Sequence, residues 1–326
     1  MGRQRVSINE TFSKWAPVTS GVPQGSVFAA LLFVVYANDI PLIISSIASL
    51  FADDSKVFRI IENLASNLIL QSDINKLVDW AQKWRMVFNV DKCSIMHLGF
   101  NNPLYNYQMF DPSQNKYVPL KTTVLERDLG VLVDNQLKFS KHISTQVNKA
   151  NRILGLIRRS YTFLDAFSFK KLFISLVRPH LEYCNSICRP RYKGDEQLIE
   201  SVLRRASKLL PGLSDLTYEN RLRHLKIPSM LYRSKRGDMI ETFKWFNRKY
   251  LCEYSPLTST TRNITRGHNY KLQKQACRLD LRKHFFSLRI VDSWNRLPDE
   301  VVCAPTINAF KNRLDKHLTN EHYVHA

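Results

Sequence analysis

Apolar residues along the first third of the chain fall in short runs. Residues 1–8 alternate as a strand does, and Gly21-Val22-Pro23-Gln24-Gly25 is a turn opening into an apolar helix from about Ser26 to Tyr36. The run Ile47–Ala52 is broken by Asp53-Asp54 and resumes at Val57–Ile61, which predicts a hairpin with two carboxylates at its tip. From Leu70 through Ile74, Leu77, Ala81 and Trp84 the apolar steps alternate four and three. That spacing predicts one face of an amphipathic helix, with Trp80 and Trp84 in its core. Strand-like pieces follow at 94–100, 105–109, 121–126 and 130–133. Beyond residue 140 the period becomes helical. Ile143, Val147, Ala150, Ile153 and Ile157 form one stripe, and Leu198, Val202, Ala206 and Leu209 form another. Pro228 stands where a helix running toward Phe246 would start. Ser255–Asn269 is polar and linker-like, and the tail holds two helical segments, Phe285–Trp294 and Thr306–Leu318. Strands first and helices afterwards predict an α+β fold.

Composition sharpens this picture where charge is concerned. The chain has 326 residues, 44% of them hydrophobic, which is enough to build more than one core. Its net charge is +20, and residues 141–250 alone hold 23 Lys/Arg against 9 Asp/Glu, a net of +14. Residues 1–140 are almost neutral, with 13 against 12. A neutral front and a basic middle suggest two tasks on one chain, the second being to hold a polyanion. Six scattered cysteines show no paired framework, and the start carries no apolar core of a signal peptide. The apolar stretch from Val27 to Ile47 is interrupted by Asn38, Asp39 and Pro41, so no transmembrane helix is expected. These features imply reduced thiols and a place in the cytoplasm and nucleus. His180, Cys184 and Cys188 have i, i+4, i+8 spacing and could share a helical face, but no fourth ligand has suitable spacing, so packing accounts for them better than zinc. No nucleophile-elbow motif and no Gly-rich phosphate loop is present.

Two adjacent carboxylates raise each other's pKa unless a cation compensates them. Mg²⁺ is suited to that place, being hard and selective for carboxylate and phosphate oxygens. Two such ions can activate a 3′-hydroxyl and steady a departing pyrophosphate.

Around this pair stand Ser20-Gly21-Val22-Pro23-Gln24-Gly25-Ser26-Val27, then Leu31-Leu32-Phe33, Tyr36-Ala37-Asn38-Asp39-Ile40-Pro41 and Phe51-Ala52-Asp53-Asp54. In this order they resemble the reverse transcriptase of non-LTR (LINE-type, jockey-like) retrotransposons. Asn89-Val90-Asp91-Lys92-Cys93 resembles the family's next motif, and Asp128-Leu129-Gly130-Val131-Leu132-Val133-Asp134 its primer-grip region. Arg178-Pro179-His180-Leu181-Glu182-Tyr183 and Ser293-Trp294-Asn295-Arg296-Leu297-Pro298 resemble its C-terminal helical segments. The resemblance implies a two-Mg²⁺ RNA-directed DNA polymerase acting on an RNA template and a DNA primer. Asp53 would be the essential metal ligand and Asp54 its less critical neighbour. Pro23, Gln24, Gly25 and Phe51 would lie near template and nucleotide, and Lys92 near the triphosphate. Leu129 and Gly130 would direct the primer end. Contact with the RNA–DNA heteroduplex would fall to Arg152, Arg158, Arg159, Lys170, Lys171, Arg204 and Arg205. The implied organisation is a partial palm over 1–135 (a short antiparallel sheet backed by helices), a basic helical thumb over 136–250, and a linker with a small helical unit over 251–326.

The pattern is broken in two places. The family takes a further aspartate from an earlier strand, whereas the residues before Pro23 hold Glu10 as their one acid. Ala29-Ala30 stands where the family has Gly-Pro. The expectation is therefore a truncated copy, inactive alone and with part of its apolar surface uncovered. The alternatives are a non-catalytic fragment that binds RNA or RNA–DNA duplex, or a decayed element with no function.

Overall fold

A computed structural model of the chain describes residues 3–18, 25–252, 254–260 and 267–323. These fall into two units, residues 1–123 and 124–326. Each is mixed in character, and among the described residues the strands form six separate two-stranded ladders.

In the first unit, short strands β1 (Arg3–Gln4) and β4 (Ala16–Pro17) pair around β2 (Ser7–Ile8) and β3 (Thr11–Phe12), all exposed. Helix α1 (Val27–Ala37) starts at Ser26, whose hydroxyl accepts from Ala29 N at 3.1 Å. It is apolar on every side, yet only Phe33, Tyr36 and Ala37 pack inward, and Val27 is 91% exposed. After α2 (Ile40–Ile43), strands β5 (Ile47–Phe51) and β6 (Asp54–Phe58) form the expected hairpin. Helix α3 (Leu64–Lys83) begins six residues earlier than the apolar stripe indicated, because Asn63 caps it by accepting from Ser66 N at 3.0 Å. Ala37, Ile40, Ile44, Leu77, Trp80 and Ala81 make one small core, against which Ala48, Leu50 and Val57 of the hairpin lean. Trp80 is in that core, while Trp84 caps the helix end and is exposed. The opposite side of α3 carries Ile74 and Val78 against Tyr107 and Met109. There Gln71 bonds both backbone groups of Gln108, and the Tyr107 hydroxyl donates to Asn67 at 2.9 Å. These contacts seat β8 (Gln108–Asp111), which pairs with β9 (Lys116–Pro119). β7 (Ser94–Met96) and β10 (Lys121–Thr123) run parallel, a departure from the expected single antiparallel sheet, since the chain between them makes the β8–β9 excursion and returns in the same direction.

The second unit opens with the hairpin of β11 (Leu125–Asp128) and β12 (Val131–Asp134). Asp134 then accepts from the backbone N of Gln136, Lys138 and Phe139 and so launches α4 (Ser140–Ser160). Helix α5 (Ala166–Leu172) continues through one π turn, Phe173–Val177, into α6 (Arg178–Glu182). Pro179 has no N–H and crowds the carbonyl of Ser175, and the wider turn accommodates it. The helix then breaks. Cys184 is left-handed (φ +51°) before α7 (Asn185–Cys188), so His180, Cys184 and Cys188 share no continuous helical face. Helices α8 (Lys193–Ala206), α9 (Tyr218–Leu225) and α10 (Met230–Phe246) follow. The buried stripe of α8 runs through Ile199, Val202, Leu203 and Ala206, turned from the expected one so that Leu198 is exposed.

Short helices α11 (Asp280–Lys283), α12 (Phe286–Arg289), α13 (Val291–Asn295) and α14 (Asp299–Val302) lead to α15 (Ile307–His317). Met230, at the start of α10, belongs to the core built on α4, α5 and α8, while Met239 and Phe243 belong to a second one around Trp294, Phe310 and Leu314. Asp238 joins the two. Fully buried on α10, it accepts from Arg189 at 2.9 Å and from Arg289 Nε and Nη2 at 2.9 and 2.8 Å. Part of the expected linker is folded as well, for Leu257 and His268 are buried and Ser259 bridges to Leu272. No described helix is long and apolar enough to cross a membrane.

Candidate active site

The β5–β6 hairpin is the element that presents the paired acids. Its register sets Phe51 opposite Asp54, leaving Ala52 and Asp53 as the two-residue tip. Period-two alternation turns Ala48, Leu50 and Val57 to the core and puts Phe51 and Asp54 on the other face. Asp53, Asp54 and Phe51 are all exposed. Ala52 sits at φ +51°, where a Cβ is costly, so the tip is held in a conformation that its sequence does not favour.

What fixes the base of this hairpin is Asp73 on α3, fully buried. Its carboxylate accepts from Ser46 N at 2.8 Å, Ser46 Oγ at 2.7 Å and Ser45 N at 3.0 Å, with Lys76 Nζ at 3.3 Å. Burial pushes the Asp73 carboxyl up, and the hydrogen bonds from Ser46 and Ser45, with Lys76, more than offset it, so the group lies below the usual carboxylate range. A second tie runs from the Trp80 indole N–H to Asp39 at 2.8 Å, at the start of α2. The sequence carried one signal for Asp73, a charged residue directly beside the apolar stripe that holds Ile74, Leu77 and Trp80.

Lys92 ends a single 3₁₀ turn, Val90–Lys92, and is exposed. Among the described residues it makes no ion pair with Asp53 or Asp54. Cys93 beside it is half-buried, and burial pushes its thiol up. Gly25 has φ +85° with open space around it, so backbone conformation rather than crowding is its requirement in this structure. Pro23 and Gln24 lie outside the described residues.

Adjacent carboxylates are the oxygen donors that a hard divalent ion takes. Yet among the described residues no three Asp, Glu, His or Cys side chains gather where they could hold a metal. The donor set at the hairpin is of the right chemistry and is partial.

In the second unit, Leu129 and Gly130 form the tip of the β11–β12 hairpin with φ +44° and +85°, the two positive values of a type I′ turn. Gly meets that requirement readily and Leu does not. The Tyr183 hydroxyl holds the turn by donating to the Leu129 carbonyl at 2.7 Å, and a Cβ added at Gly130 would lie 3.5 Å from the Tyr183 ring. Two sequence segments named separately, Asp128–Asp134 and Arg178–Tyr183, thus meet at one contact, which spacing could not reveal. Below it, His142 Nδ1 accepts from Leu132 N at 3.2 Å and ties β12 to α4, and burial first, then Lys149, holds the imidazole pKa down.

The basic residues divide. Arg152, Arg158, Arg159, Lys171, Arg204 and Arg205 are exposed. Arg205 reaches Asn151 across the packed pair α4 and α8 at 3.1 Å, and Arg204 lies 5.0 Å from the centre of the Tyr218 ring. Lys170 is half-buried and donates to the Lys226 carbonyl at 2.9 Å, so it closes the end of α9.

Residues 3–156 match the family model described as reverse transcriptase (RNA-dependent DNA polymerase). The chain is 25% identical over 226 residues to the probable RNA-directed DNA polymerase from transposon X-element of Drosophila melanogaster, covering 64% of this chain and 24% of that protein. It is 29% identical over 161 residues to the RNA-directed DNA polymerase from mobile element jockey of the same species, covering 45% and 16%. The jockey polymerase of Drosophila funebris is 26% identical over 185 residues, covering 51% and 19%. The chain therefore spans a quarter or less of the length of the relatives it matches. No solved structure matches it. The hairpin of paired aspartates, the Leu129-Gly130 turn and the motifs between them all lie within residues 3–156, the stretch that is similar to the reverse transcriptase family and to the RNA-directed DNA polymerases of the X-element and jockey.

Proposed function

We propose that this chain supplies the carboxylate hairpin and the basic helical part of an RNA-directed DNA polymerase. The observation that carries this reading is the hairpin itself. Asp53 stands exposed in the two-residue tip and Asp54 beside it at the start of β6, on a hairpin whose base is fixed by the buried Asp73. Asp53 and Asp54 would hold Mg²⁺, which when bound supplies charge compensation for phosphate oxygens. The residues of the chain do the positioning, on which phosphoryl transfer chiefly depends. Lys92 places a cation toward the leaving pyrophosphate, and Leu129-Gly130, clamped by Tyr183, directs the primer end. Arg152, Arg204 and Arg205, with Arg158, Arg159 and Lys171, meet the backbone of an RNA–DNA heteroduplex. In this reading residues 1–135 act as palm, 136–250 as thumb and 251–326 as an appended helical unit.

Among the described residues the hairpin brings two carboxylates to the site and no third donor joins them, so the purified chain is expected to bind heteroduplex and to extend no primer. Template-dependent extension that Asp53→Asn abolishes would overturn the expected inactivity. Failure to bind heteroduplex at low salt would overturn the reading as a whole. A second reading, a binding fragment without chemistry, is favoured by the same partial donor set together with the net +14 of residues 141–250. It predicts binding that weakens steeply with salt and is indifferent to Asp53.

A further inference from the structure

The link between α4 and α5 carries two sets of bulky side chains. Ile157, Leu164 and Phe169 are buried in the core of the second unit. Tyr161, Phe163 and Phe167, interleaved with them, are turned outward at 45%, 73% and 68% exposure. None of these three rings, set within seven residues, belongs to the core of the unit.

The backbone beneath them is preformed. Asp165 caps α5 by accepting from Phe167 N and Ser168 N, each at 2.8 Å, and from Ser168 Oγ at 2.9 Å. Tyr161 N donates to the Ile157 carbonyl, and Lys170 pins α5 to the end of α9. Between residues 156 and 171 four cations stand against one acid. Arg158 and Arg159 directly precede the rings, exposed and with no carboxylate paired to either among the described residues. Lys171 Nζ lies 4.2 Å from the centre of the Phe167 ring. Asp165 is the one acid between residues 156 and 171, and both its oxygens are committed to the cap.

Aromatic rings on a fixed backbone, flanked by cations, suit a ligand with flat π faces and a phosphate at every unit. A duplex keeps its bases stacked against one another, so the rings could not reach their faces. A second copy of this chain would bring the same cations and be repelled. We infer that residues 156–171 form a platform for single-stranded nucleic acid, with bases stacked on Phe163 and Phe167 and their phosphates held by Arg158, Arg159 and Lys171. This rests on the reading of the basic second unit as the part that holds nucleic acid.

The test is fluorescence anisotropy with the full chain across a salt series, using a short mixed-sequence single strand and a blunt RNA–DNA duplex as separate probes. The double variant Phe163→Ala/Phe167→Ala should bind the single strand at least about 10-fold more weakly, with the same salt slope and unchanged duplex affinity. Phe163→Tyr/Phe167→Tyr should retain binding, since the ring remains. Arg158→Gln/Arg159→Gln should flatten the single-strand salt slope by about 0.7 per charge removed. Single-strand affinity untouched by the alanine pair overturns the inference, as does an equal loss on duplex. Self-association in sedimentation that the alanine pair abolishes also overturns it, by making the patch an interface between copies. A wild-type chain that binds neither probe overturns the proposed function instead, so the two failures are distinct.

Discussion

Asp73 is the residue whose removal should most directly loosen the candidate active site. In Asp73→Ala the buried N–H of Ser46 loses its partner, while the N–H of Ser45, on an exposed residue, can turn to water. One orphaned buried donor costs about 1–3 kcal/mol. The lost Ser46 hydroxyl bond and the small void should bring the total for unit 1 to about 2–4 kcal/mol. Lys76 adds little, its side chain being 45% exposed. Asp73→Asn should cost less, about 1–2 kcal/mol, because an amide oxygen placed where Oδ2 now lies still serves both Ser46 donors. Since the folded carboxyl lies below its ordinary range, its stabilisation is fully present above an unfolded pKa of about 3.9 and is lost as pH falls through the folded value. The gap between wild type and Asp73→Asn should therefore close below about pH 4. Urea unfolding followed by tryptophan fluorescence measures the cost, and hydrogen exchange of the β5 and β6 amides localises it. A change under about 0.5 kcal/mol in both variants, or Asn as costly as Ala, would refute the reasoning.

Three further outcomes are expected. Asp238→Ala strands Arg189 and Arg289 in a buried setting and should destabilise the second unit by about 3–5 kcal/mol, read from denaturant unfolding. Tyr183→Phe removes the hydroxyl that holds the Leu129 carbonyl and should cost about 1 kcal/mol, with faster amide exchange confined to the β11–β12 tip. Burial, and then Cys184 nearby, push the Cys188 thiol up to about 12, so at pH 8 it should resist alkylation while the exposed Cys252 reacts, as mass spectrometry of labelled peptides would report.

Much of the fold was legible where pattern and period are local. The apolar runs around Asp53-Asp54 gave the hairpin, the four-and-three steps gave α3, and the stripe from Ile143 to Ile157 gave α4. Helix starts were legible less well, because Asn63 caps α3 before its apolar stripe begins. The break at Cys184 was hidden, since helical spacing continues through a sequence whose backbone turns left-handed. The same applies to β7 and β10, whose parallel pairing depends on where the intervening chain returns.

The chemistry is set locally along the chain: which acids stand together, where positive charge gathers, and the order of motifs that residues 3–156 share with reverse transcriptases. Adjacent residues remain adjacent in any fold, so a pair such as Asp53-Asp54 survives every arrangement of the rest. The tertiary structure alone decided which residues support that chemistry. Asp73 reaches Ser46 across 27 positions and Tyr183 reaches Leu129 across 54, and Lys170 is drawn from the basic face to the Lys226 carbonyl. A hydrogen bond forms wherever packing brings donor to acceptor, and packing is a property of the whole core that no local spacing encodes.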